Sequence, residues 1–174
     1  MNKLSINEIF QDALTDPDLA AAINIDDLVL AIQNDKNEHL DNKTLQHIAE
    51  DKYTQLTKLH LGKDRLKELF SKLSEYRYID EIHQLHKGKH VRWIRTNIPI
   101  DSGKKNKKDD LYNLTSGGIV VEIKFLDTGT HIMVLTKNPV KRCIQYKFDD
   151  CITFQKLSAE EQLILAAYEF IQET

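Results

Sequence analysis

Three histidines, His83, His86 and His90, fall within eight residues. Neutral imidazoles bind transition metals, and spacings of three or four place ligands on one face of a helix. Gly88 interrupts any helix here, and no cysteine or carboxylate completes a ligand set, so the histidines read as surface groups and no metal site is assigned. A second set is cationic. Lys104, Lys105, Lys107 and Lys108 form a run around Asn106, with Lys87, Lys89, Arg92 and Arg95 before it and Lys141 and Arg142 after it. Such groups meet phosphates or carboxylates, and phosphate contacts give affinity without sequence information. Trp93, Tyr112, Tyr146 and Phe148 supply rings for stacking on bases or on cationic side chains. The lysine run is not a nucleotide-binding loop, because Gly103-Lys104-Lys105 lacks the GxxxxGK[ST] frame.

The remaining reactive groups form no catalytic set. Glu122, Asp127, Asp149 and Asp150 are the carboxylates of the strand-rich region, and the aspartates sit at turn-like positions where they bond local backbone. No G-x-S-x-G or HExxH motif occurs. Cys143 and Cys151 lie in apolar strand contexts, which favours inert thiols. A strand, bend and strand over 142–154 would let them approach, so a disulfide stays open. No cofactor is expected.

Charge is divided along the chain. Residues 1–84 hold 10 Lys/Arg against 16 Asp/Glu, a net of −6; residues 85–157 hold 14 against 7, a net of +7; residues 158–174 hold four Glu and no base, a net of −4. A basic module between acidic flanks attracts a polyanion or an acidic partner, unless the flanks neutralise it. The N-terminal residues lack a long apolar core, which predicts no signal peptide, and no apolar run approaches the ~18 residues of a membrane span. A cytoplasmic protein with free thiols is expected.

These residues need elements to hold them. Ser5-Ile6-Asn7-Glu8 and Ser158-Ala159-Glu160-Glu161 have capping-box spacing. Asp16-Pro17 suits a helix start. Residues 19–32, 41–60 and 64–73 carry apolar residues at helical spacing, with Asp64 read as a cap. Residues 76–85 are ambiguous between strand and helix, and a short helix or turn is preferred. His90 to Thr96 alternates as a strand. Residues 101–110 are polar and charged and read as a loop. From Gly118 to Lys156, strands alternate with turns at Asp127-Thr128-Gly129, Asn138-Pro139 and Asp149-Asp150. Leu163, Ile164, Ala167, Phe170 and Ile171 mark one stripe of a C-terminal amphipathic helix, expected to pack on the sheet. The expected fold is therefore α+β: a helical region over 1–75, then over 76–174 a small SH3-like or Sm-like antiparallel β-barrel or curled sheet with the C-terminal helix.

The segments His86-x-Gly88-Lys89-His90-Val91-Arg92-Trp93-Ile94-Arg95, Gly117-Gly118-Ile119-Val120 and Phe148-Asp149-Asp150-x-Ile152-x-Phe154-Gln155-Lys156-Leu157-Ser158 resemble a small family of proteins of giant cytoplasmic DNA viruses. The resemblance covers about residues 77–172 and implies a soluble viral protein, packaged in the particle or acting in the viral factory. It carries no catalytic residue. The expected function is a non-catalytic binding or adaptor module that recruits nucleic acid or an acidic protein through a basic β-face. The alternatives are a structural or virion protein self-associating through its helices as a homo-oligomer, and a hydrolase or nuclease. No membrane partner is expected.

Overall fold

The computed structural model describes residues 25–98, 112–136 and 142–173. The expectations for 5–8, 16–17, 101–110 and 138–139 lie outside them, as do Lys104, Lys105, Lys107, Lys108 and Lys141. The described elements are four α-helices, α1 (Ile25–Ile32), α2 (Leu45–Thr57), α3 (Lys63–Lys72) and α4 (Ala159–Glu173), and six strands, β1 (Tyr76–Ile79), β2 (His90–Arg95), β3 (Gly118–Leu126), β4 (Gly129–Leu135), β5 (Cys143–Lys147) and β6 (Cys151–Lys156). Short 3-10 turns occupy Asp35–Leu40, Ile82–Gln84 and Phe148–Asp150. The class is α+β. No described helix is long and apolar enough to cross a membrane.

All strand pairs are antiparallel, in the order β1-β6-β2-β3-β4-β5. In a flat sheet, four strand spacings would hold β5 about 19 Å from β6. Only the turn Phe148–Asp150 joins them, and the four steps from Lys147 to Cys151 advance about 8 Å in 3-10 geometry. The sheet must therefore curl. Contacts across the curl agree: Trp93 on β2 stacks on Tyr146 on β5 with ring centroids 4.2 Å apart and planes 9° apart, and the Tyr146 hydroxyl meets Thr153 Oγ1 on β6 at 3.3 Å. No described pairing joins β5 to β1 or β6, so the sheet stays open and the curled-sheet form of the expectation is the one found.

Period-two alternation sorts the side chains. Val91, Trp93, Val120, Ile132, Val134 and Tyr146 fill the concave side with Ile79 and Leu85. Ile94 and Phe154 point the other way, onto Leu56 and Leu59 at the end of α2 and Leu69 and Leu73 at the end of α3. Residues 76–79 are a strand, not the helix or turn expected of 76–85; pairing from Tyr76↔Lys156 to Ile79↔Thr153 decides between two local patterns the sequence left equal. The helix expected over 41–60 is shorter, and residues with positive φ flank it, Asn42 at 56° and His60 at 53°. Gly62, not Asp64, occupies the cap of α3, and Asp64 lies in its first turn.

The expected boundary at 75/76 is not where the contacts divide. One compact unit holds the described residues 25–48 and 157–173, the other Ala49–Lys156. The reason is burial: Leu56 at the end of α2 and Leu66, Leu69 and Phe70 of α3 share an apolar cluster with Ile94 and Phe154 of the sheet. Sheet residues were the partners expected for the C-terminal helix. Its buried Ile164 and Leu165 instead cluster with Leu40, Ile48 and Leu157. Leu163 is only half-buried, and the side chains of Phe170 and Ile171 lie outside the description.

The second capping box forms as the spacing predicted. Ser158 N donates to Glu161 Oε2 at 2.7 Å and Glu161 N donates to Ser158 Oγ at 3.1 Å. Glu161 is 2% exposed and its other oxygen lies 3.7 Å from His39 Nε2. Ser158→Ala removes one acceptor from the helix start and is expected to destabilise this unit by about 1 kcal/mol. A urea midpoint followed by far-ultraviolet circular dichroism checks it; an unchanged midpoint contradicts the cap.

In the sheet unit, Lys52 is 3% exposed. Its Nζ donates to Leu73 O at 2.8 Å and Ser74 O at 3.4 Å, just past the end of α3, and lies 5.4 Å from the Phe70 ring centre. Burial pushes its pKa down to about 8.

Candidate binding site at the open end of the sheet

The strand register assigns the basic residues to places. β2 starts beside β3's start, β4's end and β5's start, through His90↔Ile119, Ile119↔Leu135 and Leu135↔Cys143. Lys87, Lys89 and Arg142 therefore lie at one end of the sheet. Arg95, at the far end of the six-residue β2, is about 20 Å away along the strand. There it joins Lys147 and His131, which pair across β4 and β5, and Lys124 opposite His131.

Arg92 and Arg95 also face opposite ways, because they lie three positions apart on a strand of period two. Arg92 Nε donates to Thr115 O at 2.8 Å and Nη1 to Lys72 O at 3.2 Å, and the guanidinium lies 6.0 Å from the Tyr76 ring. It pins the 112–117 segment and the end of α3. The surface expected to join the 103–108 loop with the strand around Arg92 and Arg95 is thus divided at β2, and the loop itself lies outside the described residues. Two of the four rings expected to stack on bases are committed elsewhere: Trp93 and Tyr146 are each 3% exposed and stack on each other.

A cleft of about 350 Å³ opens where the curl fails to close, lined by Arg95, Asn97, His131, Gln145, Tyr146, Lys147, Asp150 and Cys151. Its frame is tied down. Thr96 N and Oγ1 donate to Asp150 O at 2.9 and 3.0 Å, and Thr130 N donates to Asp149 Oδ2 at 3.0 Å, so the 3-10 turn holds the end of β2 and the β3–β4 hairpin. Gly129, in the turn expected at Asp127-Thr128-Gly129, takes a φ of 117°. Gln145 Nε2 donates to His131 Nδ1 at 2.8 Å, and Thr128 Oγ1 lies 3.0 Å from Nε2. With that amide orientation the neutral ring carries its proton on Nε2 and donates it to Thr128. Lys147 Nζ lies 3.9 Å from Asp150. Arg95 is exposed and makes no ion pair among the described residues.

No protein-family model, curated protein or solved structure matches the chain. The site thus stands on its geometry.

Burial pushes the Cys151 thiol up to about 11, with Arg95 pulling against it and Asp150 adding to it. A nucleophilic thiol needs the opposite shift. Cys143 lies opposite Leu135 at one end of the sheet and Cys151 opposite Arg95 at the other, so the approach of the two sulfurs held open by the sequence is not realised; both are free. The histidine cluster is also dispersed. His83 meets Glu81 at 3.1 Å in the 3-10 turn, His86 N donates to Gln155 Oε1 at 2.7 Å, and the His90 ring meets the Tyr76 hydroxyl at 3.1 Å. Among the described residues no three histidine, cysteine or carboxylate side chains form a group able to hold a metal ion.

Sequence reasoning missed Asn97, His131, Gln145 and Lys147. The signal was available for three of them: His131, Gln145 and Lys147 all follow from aligning β4 and β5 about the Asn138-Pro139 turn and reading one face.

Proposed function

We propose that the protein is a non-catalytic binding module whose partner is an acidic protein segment, engaged at the open end of the curled sheet. The observation that carries this reading is the cleft itself, where Arg95, without an ion pair among the described residues, stands beside Lys147 and His131 in a concave polar site. Two findings favour an acidic protein over nucleic acid. The described cations are divided between the two ends of the sheet and offer no continuous track for a phosphate backbone. The two best stacking rings are buried against each other. The carboxylates near the cleft have structural partners, Glu122 with Lys124, Asp149 with Thr130 N and Asp150 with Lys147, which supports binding over acid–base chemistry. The resemblance to the viral family supports a setting in the host cytoplasm, the viral factory or the particle.

Fluorescence anisotropy at low salt tests the reading, with a labelled Glu-rich peptide and a single-stranded oligonucleotide of equal charge as probes. The peptide is expected to bind more tightly, and Arg95→Gln to weaken it by about tenfold, the cost of one charge-assisted contact of about 1.4 kcal/mol. Tighter binding of the oligonucleotide, or peptide affinity indifferent to Arg95, sinks it.

A further inference from the structure

The strand order ends on β5, and nothing described pairs with its far side. The phase of its hydrogen bonds follows from one contact. Thr136 N donates to Arg142 O at 2.9 Å, which makes Thr136 and Arg142 a bonded pair. Bonded and non-bonded pairs alternate in an antiparallel ladder, so Val134↔Ile144 and Ile132↔Tyr146 are bonded as well. Cys143, Gln145 and Lys147 therefore turn their N–H and C=O groups away from β4, toward the open side. Exposed edges are normally blunted by proline, by a bulge, by charged side chains or by a covering element, and the one charged residue of β5 is Lys147 at its end. Cys143–Lys147 contains no proline. The β4–β5 register runs without a shift, and the sheet's one register shift lies between Val120 and Glu122 on β3.

The side chains supply a second, independent argument. Ile144 pairs with the fully buried Val134 and so faces the concave core, yet it is 38% exposed, with no described strand beyond it. On the opposite face of β5, Gln145 and Lys147 flank His131. An added strand would thus meet an apolar position on one face and a cationic, hydrogen-bonding position on the other, next to Arg95 across the cleft.

We propose that β5 accepts an extended peptide as a seventh strand, and that the peptide alternates apolar residues, set beside Ile144, with acidic residues, set beside Lys147 and the cleft. This deepens the proposed function and rests on it for the sign of the partner's charge. Main-chain pairing gives such a complex its affinity, and alternate side chains give it selectivity. A second copy of the chain is the less suitable occupant, since β5 carries Lys147 and no carboxylate, so pairing it with itself offers its cation no opposite charge.

The test uses the full chain, a blocked heptapeptide alternating Val with Glu, and the same peptide N-methylated at every second backbone amide. Amide hydrogen exchange is read by NMR. With the unmodified peptide, exchange at Cys143, Gln145 and Lys147 is expected to slow by about tenfold or more, while Ile144 and Tyr146, already bonded to β4, change little. The N-methylated peptide, with its side chains intact, is expected to lose binding. If it binds as well as the parent, strand addition is wrong while acidic-segment recognition stands. If neither peptide binds, the parent reading fails first. Protection of the same three amides without peptide, rising with protein concentration alongside a dimer in sedimentation, assigns the edge to a second copy and overturns the proposal.

Discussion

Replacing Gly117 with alanine is expected to destabilise the sheet unit by about 3–5 kcal/mol, the largest loss of any single methyl addition described here. Two costs combine. Gly117 has φ of 77°, where a Cβ costs about 1–2 kcal/mol. That Cβ would also overlap the Val91 carbonyl oxygen and stand 2.9 Å from the His90 ring. A carbonyl in a strand cannot step aside as a flexible side chain can. The overlap falls where β2 meets β3, at Val91↔Gly118. Gly88 supplies the control. Its φ is 79°, but a Cβ there would meet nothing within 4 Å, so Gly88→Ala isolates the conformational cost. Trp93 is the only tryptophan and lies in the sheet unit, so its fluorescence during urea unfolding reports on this unit alone. Equal losses for the two substitutions would show that the close approach at Gly117 is absent.

The second large effect is one of pH. Lys52 has a pKa of about 8 in the folded chain against 10.5 for an ordinary lysine, because burial penalises its charge. The folded chain therefore sheds this proton first. Between about 8 and 10.5 the unfolded chain binds more protons, so the lysine's contribution to stability rises with pH across that window. Below the window the cost of holding the charge is present in full, about 2 kcal/mol after allowance for residual screening. Cys151 works against it. Its thiol is pushed up from the usual 9 to about 11, which favours the folded chain below 9 and removes that stability between 9 and 11. Tyr78, raised to about 12, adds a loss above 10. The comparison of interest is thus Lys52→Met against the native chain at pH 7.5, 8.5 and 9.5. Met keeps the length of the stem over Phe70 and has no charge to desolvate. The native chain is expected to gain on the variant at each step upward. A stability difference that is flat with pH would mean that Lys52 keeps an ordinary pKa.

Local rules carried the sequence reading as far as local rules govern. The reciprocal bonds of Ser158 and Glu161, the strand at His90–Arg95 and the tight turn before Gly129 each depend on a few adjacent residues, and each is present. Elements decided by distant partners were harder to read. Tyr76–Ile79 becomes a strand because β6 lies beside it, some 75 residues later in the chain. Arg77, with a charge that argues for the surface, is 1% exposed and donates from Nη2 to Gln84 O at 2.7 Å. Lys52 gives no sequence sign of burial at all. For the candidate site the failure was of another kind. Counting charges over 85–157 treated the segment as one patch, but parity on β2 already separates Arg92 from Arg95, and strand direction separates Lys89 from both. Only the clustering of Arg95 with Lys147 and His131 needed the curl, and the curl follows from a three-residue turn whose consequence appears once strand order is known.

The unit formed by residues 25–48 and 157–173 is interrupted by the whole of the other unit. Leu40 and Ile48 bury themselves against Leu157, Ile164 and Leu165, side chains made more than a hundred residues later. At about 5–20 residues per second on the ribosome, the first half waits roughly 5–20 s for its second half. The sheet unit, whose last strand ends at Lys156, is complete before that wait ends. All strands of the inserted unit are thus made before the helix that completes the interrupted one. Until then Leu40 and Ile48 lack the side chains that bury them.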